Sequence, residues 1–345
     1  MTDIDKNRKA IAAWLIVVCI TIFLMVIVGG VTRLTNSGLS MVDWKPIMGV
    51  IPPLNETEWM ETFEKYKQFP EYQKRNQHMD VEGFKSIFYW EYGHRLLGRL
   101  IGVIFFVPFV YFLVRGKIEK PFVSKLVIAL VLGGLQGLMG WYMVKSGLVD
   151  MPRVSHYRLA AHLLLALLIF SWLFWVIKDL LWPKEFRGSL QLPGWWNRVA
   201  ISLLVLVVIQ ITYGAFTAGI RAGFGYNTFP LMNDQWVADA VFMLDPWWIN
   251  FFEGVASIQF LHRWIGTLLL LVVGLLWLAI TCGKSDQRIK SAAHWLFGVT
   301  LAQFLTGVLT LVYVVPIGLA ALHQAIACLL LLASVNLVYL GWQKK

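Results

Sequence analysis

Phe88-Tyr-Trp-Glu91-Tyr-Gly-His94-Arg95-Leu-Leu-Gly98 opens a long apolar run, so it sits where a helix enters a membrane. On a helix, Glu91 lies three residues before His94 and shares its face. Gly98, four residues after His94, lies on that face too, where a flat ligand can approach the backbone. A carboxylate and an imidazole at the rim of a bilayer are costly to desolvate, which points to function; a pair satisfied by interfacial water is the plain alternative. The chain carries a near copy, Gln259-Phe-Leu-His262-Arg263-Trp-Ile-Gly266. Histidine, arginine and glycine recur in register, but Glu91 faces Gln259.

The 345 residues are 58% hydrophobic and 14% charged, with 17 Trp and 22 Phe, and apolar runs of about twenty residues recur along the chain. This is the composition of a multi-span membrane protein, so the net charge of +10 belongs on cytoplasmic loops and is no nucleic-acid signature. Lys6, Arg8 and Lys9 precede the first apolar run as in a signal peptide. That run lacks a small-residue cleavage site and reads as a retained span. Cys19, Cys282 and Cys328 form no short-spaced pair and no metal motif, and are expected to be small buried residues.

The expected fold class is all-α, with eight transmembrane helices near 11–31, 87–114, 122–144, 156–178, 198–219, 258–281, 292–315 and 318–340. Arg115, Lys117, Lys120 and Lys125 follow span two; Lys178, Lys184, Arg187 and Arg198 follow span four; Lys284, Arg288 and Lys290 follow span six; Lys344 and Lys345 end the chain. With the basic N-terminus, they put both termini in the cytoplasm. In the long first outer loop Asn55 and Glu58 form a helix-starting cap, and Trp59, Phe63 and Tyr66 share one face. A short amphipathic helix lying on the outer membrane surface is expected there; packing against the protein's own outer face is the alternative.

Spans one to four match spans five to eight. Gly29 and Thr32 align with Gly214 and Thr217, Pro46 and Met48 with Pro230 and Met232, Gln136 and Gly140 with Gln303 and Gly307, and His162 with His323. Two four-helix bundles related by an axis along the membrane normal are expected, residues 1–180 and 181–345. His94, His162, His262 and His323 open the even-numbered spans, so they lie at similar depth near the outer face, two per bundle. Each has a small residue four positions on: Gly98, Ala166, Gly266 and Ala327. Two facing imidazoles can sandwich a flat macrocycle with an axial ligand from each side, and Arg95 and Arg263 can meet its propionates. A zinc or copper site wants three or four converging donors, which neither bundle offers. His156, His78 and His294 fall outside the pattern and read as structural or solvated; a stand-in ligand near the first site is the alternative for the unrepeated His156. The Gly98/Gly102 and Gly133/Gly137 spacings read as helix-packing motifs.

At this point the chain resembles the haem A synthase family. The likeness rests on Glu-x-x-His-Arg opening span two, His162, His262-Arg263 and His323, and on the Gly29–Met41 segment followed by Trp44-Lys-Pro46, and it covers nearly the whole chain. It implies an oxidoreductase that oxidises a ring methyl of haem O through hydroxylation to a formyl group, making haem A for terminal oxidases. It implies haem b as cofactor on His262 and His323, a substrate haem at His94 and His162, and Glu91 as the essential acid. It also implies haem O as substrate, membrane lipid as surroundings, the haem O-supplying enzyme and oxidase assembly factors as partners, a homo-oligomer as one assembly, and a bacterial cytoplasmic membrane as location. The cysteine pair of some members is missing from the first outer loop, which places the likeness with the cysteine-lacking subgroup. Bonding pattern alone leaves two alternatives open: a di-haem electron carrier and a haem transporter or chaperone.

Overall fold

The computed structural model describes residues 3–42, 51–147, 154–182, 192 and 194–342. Trp44, Pro46, Met48, Lys184, Arg187, Lys344 and Lys345, on which parts of the reading above rest, lie outside them.

Hydrocarbon offers no partner to a backbone N–H or C=O, so a chain this apolar crosses it as helices that satisfy their own backbone. In chain order the helices longer than five residues are α1 (Asp3–Leu34), α2 (Glu56–Lys67), α3 (Val81–Val114), α4 (Lys120–Gly147), α5 (His156–Leu181), α6 (Trp196–Gly219), α7 (Val255–Cys282), α8 (Gln287–Val312) and α9 (Ile317–Gly341). Among the described residues eight of these, all but α2, are long and apolar enough to cross a membrane. The chain is an all-helical, multi-pass membrane protein. Hydroxyls inside the spans return to their own helix: Thr32 donates to the Val28 carbonyl, Thr212 to Val208 and Thr300 to Leu296.

All eight expected spans are present, most of them longer at the N-terminal end. One correction concerns the seventh, expected to run to residue 315. It stops at Val312 because Val314 and Val315 both adopt φ of 59°. That conformation is strained for a β-branched residue. It is held by hydrogen bonds from Val314 N–H to the Leu311 carbonyl and from Val315 N–H to the Thr310 carbonyl. A second correction concerns Cys282, which is exposed at the end of α7, while Cys19 and Cys328 are buried. A third concerns the glycine spacings: a methyl group at Gly102, Gly133 or Gly137 would meet nothing within 4 Å, so among the described residues these glycines mark no close helix contact.

The helices fall into two compact units, Val17–Ala166 and a second made of Met1–Ile16 with Leu167–Lys345. In the second, α6, α7, α8 and α9 form a ring in which each packs on the two beside it. Leu203, Val207, Val273, Leu296 and Leu337 are among its buried residues.

In the first unit, α3 packs on α4 and on α2. The α2 helix starts as the sequence reads: Asn55 Oδ1 accepts from Glu58 N–H, and Glu58 Oε2 accepts from Leu54 N–H. Its aromatic face does not lie on the membrane. Trp59, Phe63 and Tyr66 are buried against Phe84, Ile87 and Phe88 of α3. Trp59 meets Phe88 edge-on at 5.0 Å, and Tyr66 stacks on Phe84 at 5.0 Å. Each such ring contributes roughly 1.5–3 kcal/mol by burial, so the protein's own surface outcompetes the bilayer for this face.

Beneath α2 lies Glu71, only 4% exposed. Its Oε2 accepts from the Tyr66 hydroxyl at 3.3 Å, and that hydroxyl accepts from Asn76 Nδ2 at 2.7 Å. Burial pushes the Glu71 carboxyl up to about 7 and the Glu91 charge adds to this, against the lowering effects of the Tyr66 hydrogen bond and Arg75. A raised carboxyl pKa stabilises the folded cap fully below the ordinary carboxylate range, and that stabilisation is lost as pH rises through about 7. We therefore expect α2 to loosen as pH rises from about 4.5 to about 7, by up to about 3 kcal/mol of local stability. Hydrogen exchange of the α2 amides, corrected for intrinsic rates, measures it. Glu71→Gln should flatten the pH dependence; an unchanged slope in that variant would assign it to another group.

Candidate functional site

The four repeated histidines sit on four different helices: His94 on α3, His162 on α5, His262 on α7 and His323 on α9. Each imidazole lies against a glycine of the spanning helix before it. A methyl group added at Gly29 would be 3.1 Å from His94 Nε2. At Gly140 it would be 3.1 Å from His162 Cε1, at Gly214 3.1 Å from His262 Cε1, and at Gly307 2.8 Å from His323 Cε1. Protein interiors are close-packed, so a ring enters between two helices only where the facing one lacks a Cβ. Sequence reasoning paired Gly29 with Gly214 and Gly140 with Gly307, but gave them no role; their recurrence in step with the histidines was the available signal. It singled out instead the small residues Gly98, Ala166, Gly266 and Ala327 on the histidines' own helices; a methyl at Gly98 would meet Met25 Cε at 3.3 Å, and one at Gly266 would meet Gln210 Nε2 at 2.9 Å.

In the second unit the ring centres of His262 and His323 are 6.4 Å apart, with the planes at 90°. Two imidazoles bonded at about 2 Å to opposite sides of one metal would place their centres roughly 6 Å apart. Gln303 Nε2 lies 3.2 Å from His323 Nε2, and Thr306 Oγ1 lies 3.2 Å from His323 Nδ1. Gln210 Nε2 donates to the His262 carbonyl at 3.0 Å. In the first unit Gln136 Nε2 donates to the His162 carbonyl at 3.1 Å. Gln136 Oε1, Gln210 Oε1, Gln303 Oε1 and His262 Nδ1 are buried and lack a hydrogen-bond partner among the described residues. Orphaned polar atoms are costly, so their concentration beside the histidines marks positions where the chain's own hydrogen bonding is incomplete. Among the described residues no three His, Cys, Asp or Glu converge as a metal group. Two imidazoles without further protein donors suit a metal that brings its own equatorial ligands.

The remaining histidines stand apart from this pattern. His156 is buried with its ring 4.0 Å from that of Tyr157, His294 Nδ1 accepts from Trp277 Nε1 at 2.9 Å, and His78 is exposed.

Glu91 and Gln259, each 2% exposed, do the same structural task with opposite polarity. Glu91 Oε2 accepts from Ser40 Oγ and from Met41 N–H, both at 2.8 Å. Its Oε1 accepts from Arg95 at 2.5 Å, and Arg95 also donates to the Met41 carbonyl at 2.9 Å. The carboxylate thus clamps the segment after α1 onto α3. Gln259 clamps the segment after α6 onto α7 by donating from Nε2 to the Ala222 and Gly225 carbonyls, at 2.8 and 2.6 Å. Arg263 donates to the Thr228, Leu231 and Tyr226 carbonyls. The residue type follows what the clamped segment presents: donors at Ser40 and Met41, acceptors at Ala222 and Gly225. Arg95 and Arg263 were expected to reach a ligand's carboxylates; in this structure both guanidinium groups are engaged by the chain itself, because a buried cation needs acceptors close by.

Sequence comparison finds relatives along nearly the whole chain. The family model COX15-CtaA, described as cytochrome oxidase assembly protein, matches residues 12–335. The chain is 49% identical over 328 residues to a heme A synthase of Nitrosospira multiformis, covering 95% of this chain and 92% of the relative. It is 48% identical over 321 residues to a heme A synthase of Parvibaculum lavamentivorans, covering 93% and 91%. To a heme A synthase of Flavobacterium psychrophilum it is 43% identical over 333 residues, covering 94% and 96%.

The glycine contacts are testable without any ligand. Gly307→Ala should displace the His323 ring and lower the thermal stability of the purified protein by about 1–3 kcal/mol. Gly298→Ala on the same helix, where a methyl meets nothing within 4 Å, should be neutral or stabilising by up to about 1 kcal/mol through helix propensity. Equal effects of the two substitutions would deny the ring-on-glycine contact a packing role.

Proposed function

Because the chain belongs to the cytochrome oxidase assembly protein family, and relatives that it matches nearly end to end are heme A synthases, we propose that it oxidises a ring methyl of haem O to a formyl group, giving haem A for terminal oxidases. The observation that carries the reading is a pair of histidine sites built alike, of which only one has a carboxylate, Glu91, one helical turn away. In this reading His262 and His323 hold a resident haem b, and His94 and His162 hold the substrate haem. The 6.4 Å separation of the His262 and His323 rings supports the first assignment, and the matching glycine contacts at Gly29 and Gly140 support the second. A resident haem supplies one-electron redox chemistry.

Oxidising a methyl group releases protons, and Glu91 is the group beside His94 that can take them. It acts from within its clamp: Ser40, Met41 and Arg95 fix both carboxylate oxygens, so the acid is held in one orientation. Gln259 cannot exchange a proton in this way, which fits a second unit that stores a cofactor. The basic residues after the even-numbered spans support a bacterial cytoplasmic membrane with both termini inside and all four histidines toward the outer face. A supplier of haem O and oxidase assembly factors are the expected partners.

Chromatography and mass analysis of extracted haems test the reading. His262→Ala and His323→Ala should lose haem b, whereas His94→Ala and His162→Ala should retain it yet make no haem A. Haem b at two per chain in the wild type, with no haem O or haem A, would instead identify a di-haem carrier; turnover-free exchange of haem O would identify a transporter.

Glu91→Gln should keep haem b and lower haem A formation by about 10²–10⁴-fold, with haem O or a partly oxidised form accumulating. Ser40→Ala weakens the clamp but leaves the carboxylate, and should retain most activity. Equal losses in the two variants would make Glu91 a structural residue only.

A further inference from the structure

The two histidine sites differ in a second respect, which the Glu91/Gln259 exchange does not cover. Thr306 Oγ1 donates within α8, to the Ala302 carbonyl at 2.8 Å and the Gln303 carbonyl at 3.0 Å. Its proton is therefore committed to the main chain, and a lone pair faces His323 Nδ1 at 3.2 Å. On the other side of the ring the Gln303 amide nitrogen, which can only donate, lies 3.2 Å from His323 Nε2. Both neighbours select the same tautomer, with the proton on Nδ1 and the lone pair on Nε2. That is the form an iron ligand needs, and an acceptor at the remote nitrogen also raises the ligand's basicity.

The register that aligns Gln136 with Gln303 and Gly140 with Gly307 puts Met139 where Thr306 stands. A thioether is a weak acceptor and a flexible chain. Around His162 the Gln136 amide nitrogen lies 3.3 Å from Nδ1 and 3.4 Å from Nε2, so it favours neither, and no hydroxyl is bonded to the ring among the described residues. The other helix pair repeats the exchange. The register that aligns Gly29 with Gly214 sets Met25 against Gln210. Gln210 packs on Gly266 and donates to the His262 carbonyl, while Met25 packs on Gly98. At two equivalent positions, a hydrogen-bonding side chain in the second unit is a methionine in the first.

We infer that Thr306 is a positioning residue that fixes His323 as a tightly held axial ligand, and that Met139 leaves His162 a releasable one, so that this pair of residues sets which haem stays and which is exchanged. The inference rests on the assignment of haem to the two histidine pairs made above.

The test uses the full chain purified in detergent. In a His94→Ala background, which leaves only the second unit's seat, Thr306→Val should speed haem loss to an excess of a haem-scavenging apoprotein by about 10–100-fold. It should also raise the haem midpoint potential, because a less basic ligand stabilises the ferric state less. Thr306→Ser, which restores the hydroxyl, should return both towards the parent values, which a merely structural role would not produce. In the otherwise unaltered chain, Met139→Thr should slow the fast phase of haem loss. Unchanged loss rate and potential in Thr306→Val, or equal changes in Val and Ser, would overturn the inference. If Thr306→Val does not fold, Met139→Thr decides, and an unaltered fast phase overturns it. His323→Ala separates the two levels: haem retained there defeats the haem assignment itself, whereas haem lost there but not in Thr306→Val defeats only the role of Thr306.

Discussion

Within hydrocarbon a polar group has to find its partner inside the chain, and the placement of polar groups in this protein follows from that constraint. Backbone groups are satisfied by helix formation. Hydroxyls of the spans return to carbonyls one turn back, as Thr32, Thr212 and Thr300 do. Arg263 is surrounded by three main-chain carbonyls, and the Arg95 cation is matched by the Glu91 carboxylate. Against this background the exceptions carry meaning. The orphaned amide oxygens of Gln136, Gln210 and Gln303 and the free Nδ1 of His262 gather around the imidazoles, where the chain's own hydrogen bonding stops short.

Close packing supplies the second constraint. An imidazole between two membrane helices displaces a Cβ from the facing helix, and four glycines meet four histidines in this way. The same contact made twice per repeat fixes how each ring enters its slot. In the second unit it holds two rings at a separation suited to a single metal between them. A metal carried by a macrocycle would need few protein donors, because the macrocycle provides the rest.

The two halves carry the same repeated pattern in sequence, with Glu91 in one where Gln259 stands in the other. The clamp on the segment after the first helix persists in both, but it is charged in one and neutral in the other. Glu91 is neutralised by Arg95 and organised by Ser40 and Met41, and under the proposed function the same buried carboxylate, three residues before His94, would take up the proton. The structural reason does not compete with the chemical one, since a general base works best when its orientation is fixed in advance.

The eight spans, the all-helical class, the internal repeat, the four histidines and the Glu91/Gln259 difference were legible in the residues alone, because apolar run length, residue type and register are properties of the chain in one dimension. The sequence also disclosed the Asn55 cap of α2, since capping chemistry is local. It left α2's aromatic face divided between membrane and protein, and only packing against Phe84 and Phe88 decided that. It singled out the small residues on the histidines' own helices, Gly98, Ala166, Gly266 and Ala327, but gave no role to the glycines that the rings meet on neighbouring helices, Gly29, Gly140, Gly214 and Gly307. It could not see that Arg95 and Arg263 hold loops, nor that Thr306 reaches His323, because those partners are brought together by the crossing of helices. Which residues share a face is written in the helical period; which faces meet, and at what distance, is decided only when side chains compete for the same space.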